Sequence, residues 1–146
     1  MSRGTTRSPF HVDGELRSKL ANLGKQASYT AGTVLFREGD ALKGVYLLVS
    51  GKAHLTAGEG SNALCRMCGP GCLLGLPATM RNRPYSLNAE CIDDCQCVYI
   101  PPKAFTEFLR SSPVYCMEVL QLLANEIVDL RAKVPIAIHR AAVKVH

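Results

Sequence analysis

Between Ala27 and Ile100 the chain is cut about every ten residues by a glycine-bearing turn. The turns are "AG" at 31–32, "EGD" at 38–40, "SGK" at 50–52, "GEGSN" at 58–62 and "GPG" at 69–71. A helix of ordinary length cannot survive interruption at that interval, whereas a strand of about five residues fits between each pair. The segments between the turns are rich in β-branched, aromatic and aliphatic residues, so this region is expected to form short strands in an antiparallel sandwich or barrel.

Helical patterns flank this region. In "DGELRSKLANLG", Leu16, Leu20 and Leu23 fall on one face of a short helix from Asp13 to Leu23, with Gly24 as its stop. After Ile100, "PPKAFTEFLRSSP" predicts a second short helix carrying Phe105, Phe108 and Leu109. Ser112 can then cap, and Pro113 open, a longer one. Along that longer helix Cys116, Leu120, Leu123, Ile127, Leu130 and Val134 recur at alternating spacings of four and three, the seam of a two-stranded coiled coil. The seam predicts a homodimer, and Pro135 is expected to kink or end the helix near Ala132.

At 146 residues and 47% hydrophobic content the chain suits one domain with a real core, and its apolar runs fall far below the ~20 residues of a membrane span. The start, "MSRGTTRSPFHVDG", lacks the apolar stretch of a secretory signal. A cytoplasmic location follows as the expectation, with the seven cysteines reduced. The net charge of +5 concentrates at the two ends (Arg3, Arg7, Arg17, Lys19 and Lys25; Arg131, Lys133, Arg140 and Lys144), and reads as solvated basic termini. Adjacent Asp93 and Asp94 suit a strand-connecting turn. No nucleophile stands with a base and an orienting acid, so an enzyme is not expected.

The strings "AGTVLFREGDALKGVYLLVSGKAHL" (31–55) and "GPGCLLGLPATMRNRPYSLNAECIDDCQCVYIPPKAF" (69–105), followed by a long helix, resemble the cyclic-nucleotide-binding domain of the catabolite activator and fumarate–nitrate regulator superfamily. The similarity spans roughly residues 15 to 132, and its marks are Gly32, Gly39, Gly51, Gly71, "FREGD" and "YLLVSGK". It implies a mainly β fold, a double-stranded β-helix or jelly roll with flanking helices and a long C-terminal dimerisation helix. The domain would run over 13–132, with basic segments at 1–12 and 133–146. The family's regulators continue into a DNA-binding helix-turn-helix, whereas "PIAIHRAAVKVH" closes this sequence. Sequence-specific DNA reading by this chain alone is therefore not expected. A stand-alone module and a piece of a longer regulator both remain open.

The resemblance also implies a phosphate-binding cassette in "GLPATMRNRPYSLN" (75–88), where a glutamate after the glycine meets the ribose hydroxyl and an arginine meets the phosphate. Carried over without a gap, the glutamate position holds Leu76 and the arginine position Tyr85, while Gly75 and Ser86 are retained. Leu76 accepts no hydrogen bond, and Tyr85 offers one neutral donor in place of a charged fork. Pro77 removes a further amide. Standard binding of cyclic AMP is not expected. A regulatory domain sensing a different small molecule, with Gly75, Leu76, Arg83, Tyr85 and Ser86 lining the pocket, is the leading expectation, and cyclic-nucleotide binding would be weak.

Two alternatives accompany it. One is a ligand-free dimerisation module. The other is a thiol-based redox or metal sensor built on Cys65, Cys68 and Cys72 with a second cluster of Cys91, Cys95 and Cys97. Cys65 and Cys68 fall on opposite faces of an extended strand, which favours small buried hydrophobes over ligands. No metal or cofactor is expected.

Overall fold

The computed structural model describes residues 8–58 and 64–133, with the side chains of 127–133 excepted. Its elements run α1 (Gly14–Ala21), β1 (Lys25–Tyr29), β2 (Val34–Phe36), β3 (Val45–Ser50), β4 (Ala53–Ala57), β5 (Leu64–Cys68), β6 (Leu73–Leu74), α2 (Leu76–Arg81), β7 (Asn88–Cys91), β8 (Cys95–Ile100), α3 (Pro102–Ser111) and α4 (Pro113–Lys133). The strands form two four-stranded sheets, ordered β1-β8-β3-β6 and β2-β7-β4-β5, with every pair antiparallel. This is the expected jelly roll with flanking helices.

The register explains the long apolar run in β3. Tyr46 stands opposite both Tyr99 and Leu74, and Leu47 opposite both Val98 and Leu73. Val45, Tyr46, Leu47 and Leu48 are all buried, so β3 is covered on both faces. β4 alternates instead: Ala53 and Leu55 are buried while His54 and Thr56 are half-exposed, the pattern of a strand with one wet face. The turn at Asp93–Asp94 forms as expected, and Asp94 Oδ1 accepts the Ala31 amide at 2.8 Å, pinning the β1–β2 connection.

The helices close the core. α1 buries Leu16 and Leu20 and ends earlier than the sequence predicts, capped at Asn22. Gly24 is needed for another reason than stopping that helix: a Cβ there would lie 2.0 Å from the Tyr99 carbonyl oxygen, so only glycine lets the chain pass β8 at this distance. α3 buries Phe105 and Leu109. α4 starts at Pro113, as its sequence requires, and is tied down twice. The Tyr115 hydroxyl donates to Glu15 of α1, and Arg66 of β5 pairs with Glu126 at 2.8 Å.

These ties select which face of α4 turns inward. Val119 is fully buried, and Tyr115, Cys116, Leu122 and Leu123 pack partly against the core, whereas Val114, Met117 and Leu120 are exposed at 70%, 57% and 44%. The expected seam is thereby divided, with Cys116 and Leu123 leaning on the chain's own roll and Leu120 facing out. The side chains of Ile127 and Leu130, and Val134 altogether, lie outside the described residues.

Candidate functional site

The cassette begins where β6 ends. Gly75 takes a left-handed conformation (φ 88°, ψ 11°), which L side chains adopt at a cost, and turns the chain from strand into α2. Its carbonyl accepts the Thr79 amide at 3.1 Å and the Thr79 hydroxyl at 2.9 Å, so the first turn of α2 is bonded within itself. Asn82, also left-handed (φ 54°), caps the other end, and the chain returns through Arg83 to Ser86 before β7.

The expected site residues separate into two groups. Gly75, Leu76 and Tyr85 point into the protein: Leu76 is fully buried and Tyr85 is 2% exposed. Arg83 and Ser86 are exposed at the surface. Pro84 sets the turn between them, and Arg83 is held back toward α2 by its amide, which donates to the Ala78 carbonyl at 3.1 Å.

Tyr85 is fastened at both its backbone and its ring. Its amide donates to the Asp40 carbonyl at 3.0 Å, and its carbonyl accepts from the Gly39 amide at 2.7 Å, joining the cassette to the turn after β2. The ring stacks on Phe36 at 3.9 Å with the planes 8° apart. The hydroxyl donates to the Gly44 carbonyl at 2.7 Å and accepts from the amides of Gly44 at 3.0 Å and Lys43 at 3.1 Å. A phenol oxygen that donates once and accepts twice is fully satisfied. Burial pushes its pKa up, against the smaller lowering from those two amides, so the neutral donor persists.

Gly44 makes this arrangement possible. Its φ of 139° suits glycine, and a Cβ on it would lie 2.3 Å from the Ile100 carbonyl oxygen. Gly75 is packed as closely, since a Cβ there would stand 3.0 Å from both the Gly44 carbonyl oxygen and the Tyr85 ring. Phe36, Lys43 and Gly44 are the functional partners that sequence reasoning missed. Phe36 carried a signal in "FREGD", but a glycine in "KGV" looks like any turn glycine.

The cysteines behave as packing residues. Cys68, Cys72, Cys91, Cys95 and Cys97 are buried. Burial above all pushes the Cys91 and Cys97 thiols up to about 12, and the Cys72 thiol is raised by its contact with Cys68 and by burial. Cys72 donates to the Pro9 carbonyl at 2.9 Å. Cys65 is exposed, 3.9 Å from His54 Nδ1. Among the described residues no group of three or more His, Cys, Asp or Glu side chains is placed to hold a metal ion.

Comparison with known proteins places these features. A family model described as "Cyclic nucleotide-binding domain" matches residues 26–112. No curated protein matches the chain. Among solved structures, the Thermus thermophilus catabolite activator protein is 21% identical with a TM-score of 0.73, covering 84% of this chain and 58% of its own. A protein from a cyclic-GMP-dependent signalling pathway regulating bacterial phytopathogenesis is 21% identical with a TM-score of 0.71, covering 82% of this chain and 96% of its own. The c-di-GMP-responsive global regulator CLP of Xanthomonas campestris is 16% identical with a TM-score of 0.67, covering 80% of this chain and 58% of its own. At these identities the likeness is one of fold, and the chain spans less than two thirds of the length of the catabolite activator protein and of CLP.

Proposed function

The chain belongs to the cyclic nucleotide-binding domain family, and on that premise we propose that it is a regulatory domain whose cassette is latched by its own tyrosine in place of a nucleotide. The observation that carries this reading is Tyr85. It stands where the family resemblance puts the phosphate-binding arginine, yet its hydroxyl is bonded inward to Lys43 and Gly44 and its ring lies on Phe36. Leu76, on the ribose-binding position, is equally buried. Together they fill the interior side of the cassette with apolar and self-satisfied groups, and a nucleotide entering there would have to displace packed side chains and leave its ribose hydroxyl unpaired, a loss of about 1–3 kcal/mol for that hydroxyl alone.

Isothermal calorimetry with cyclic AMP and cyclic GMP tests the proposal. No saturable heat is expected with either ligand at millimolar concentration. Micromolar binding by the unmodified chain would mean that Tyr85 swings out and that the latch is the apo state of an ordinary sensor.

Output in this reading passes through α4. The exposed row Val114, Met117 and Leu120 is a surface for a second copy of the chain, although only Leu120 of the three belongs to the three–four seam. Leu120→Asp, at a position 44% exposed and so free of core packing, is expected to convert a dimer to a monomer in sedimentation velocity while thermal unfolding stays unchanged. Wild-type protein that sediments as a monomer at tens of micromolar would end the dimer proposal. No catalytic role is proposed. A thiol-based sensing role draws little support from sulfurs that are mostly buried and protonated. Among the described residues no helix is long and apolar enough to cross a membrane.

A further inference from the structure

A cavity of about 430 Å³ opens on the β1-β8-β3 sheet and adjoins the cassette's aromatic stack, since Phe36 stacks on both Tyr46 and Tyr85. Tyr29, Tyr46 and Tyr99 line it, together with Lys25 and Lys43. The three rings form one group: Tyr29 meets Tyr46 edge-on at 6.4 Å, and Tyr46 is tilted by 47° against Tyr99 at 5.4 Å. Strand register produces the group, because Tyr46 and Lys25 both stand opposite Tyr99 on neighbouring strands. The volume lies in the ordinary range of small-molecule sites.

Two members of the group, Tyr29 and Tyr46, lack a hydrogen-bond partner among the described residues, and Tyr46 is the more deeply buried. Tyr46 is 6% exposed, and among the described residues its hydroxyl makes no hydrogen bond. The neighbouring phenols of Tyr99 and Tyr85 are accounted for: Tyr99 donates to the Lys43 carbonyl, and Tyr85 is held by Lys43 and Gly44. A buried phenol left unpaired is costly, and the adjoining cavity is where a partner can reach it. Burial raises the pKa of both Tyr29 and Tyr46, with other phenols adding to it at Tyr46, so both stay neutral hydrogen-bond donors at physiological pH.

The chemistry of the lining defines the occupant. Two lysines and no carboxylate favour an anion. Aromatic faces favour a planar ring, which gains both from stacking and from area removed from water. An acceptor on the ligand would satisfy the Tyr46 hydroxyl. We propose that this tyrosine-lined cavity is a binding site for a small aromatic carboxylate, held by ring stacking, by the Tyr46 hydroxyl and by Lys25 and Lys43. The site shares Lys43 with the Tyr85 contacts, and Phe36 lies between Tyr46 and Tyr85, so the cavity and the cassette are neighbours.

Titration of the isotope-labelled protein with benzoate, followed by amide NMR shifts, tests it. Saturable shifts are expected at 25–29 and 43–46. Benzamide, which lacks the charge, and cyclohexanecarboxylate, which lacks the planar ring, should bind at least several-fold more weakly. Tyr46→Phe removes only the unpaired hydroxyl, and should weaken benzoate roughly tenfold without lowering stability. The exposed pair Lys25→Met and Lys43→Met should abolish saturation. Unchanged benzoate affinity in Tyr46→Phe, equal binding of cyclohexanecarboxylate, or no saturable shift at these amides would each overturn the proposal. Response to an acidic peptide without response to benzoate would overturn it too, in favour of a protein-docking surface.

Discussion

Gly44→Ala is expected to destabilise the fold by about 3–4 kcal/mol and to lower the unfolding midpoint by roughly 10 °C. Two costs combine. The backbone there has a φ of 139°, which alanine adopts only under strain, and the new methyl would stand 2.3 Å from the Ile100 carbonyl oxygen, an approach closed to any Cβ. Relief requires β3 to move from β8, and that movement also carries away the amide and carbonyl that hold Tyr85. Gly32→Ala supplies the comparison. It imposes a positive φ of 89° with nothing within 4 Å of the added Cβ, so it should cost only about 1 kcal/mol. Thermal and urea unfolding of the two variants side by side separate strain from collision, and equal losses would show that Gly44 is not packed as described.

Tyr85→Phe is expected to cost about 2–4 kcal/mol although the ring, its burial and its stacking on Phe36 are kept. The lost oxygen strands three backbone groups, the buried Gly44 amide and carbonyl and the part-buried Lys43 amide. A loss below about 0.5 kcal/mol in urea unfolding would mean that water replaces the phenol without difficulty and that no latch exists. A functional sign should accompany the energetic one. With the ring free to leave, the bond after the exposed Arg81 should be cut faster by trypsin in the folded protein, whereas Pro84 protects the bond after Arg83. Because the two substitutions break one shared contact, their costs should combine to less than their sum.

The parts of this molecule legible in the sequence are those set by local backbone chemistry. Turn glycines at regular intervals mark strand ends wherever they occur, and Pro113 opens a helix because its missing amide has no partner to lose there. The orientation of α4 was less legible. Alternating three–four spacing places Cys116, Leu120 and Leu123 on one stripe, yet the core takes Val119 and leaves Leu120 outside. What rotates the helix is long-range: Tyr115 reaching Glu15 and Glu126 meeting Arg66, pairs separated by 100 and 60 residues.

The cassette divides in the same way. The resemblance alone puts the glutamate and arginine positions on Leu76 and Tyr85. The destination of the Tyr85 hydroxyl could not be read, since its partner Gly44 lies 41 residues away and nothing in "KGV" distinguishes a glycine that receives a phenol from one that merely turns the chain. The three-tyrosine group escaped notice for a similar reason: Tyr29, Tyr46 and Tyr99 come from three segments that only strand register brings together.

The latch we propose would also change what kind of quantity can control this domain. A diffusible effector occupies its site in proportion to its concentration, so a cassette filled that way reports on metabolism. A phenol tethered one peptide bond from Ser86 has an effective concentration fixed by the chain itself, unchanged by growth conditions. The cassette's occupancy is then a constant of the molecule. On that proposal it would be reset by a substitution at Gly44, Phe36 or Tyr85, or by heat, but not by supply, and a variable input would have to arrive elsewhere on the surface.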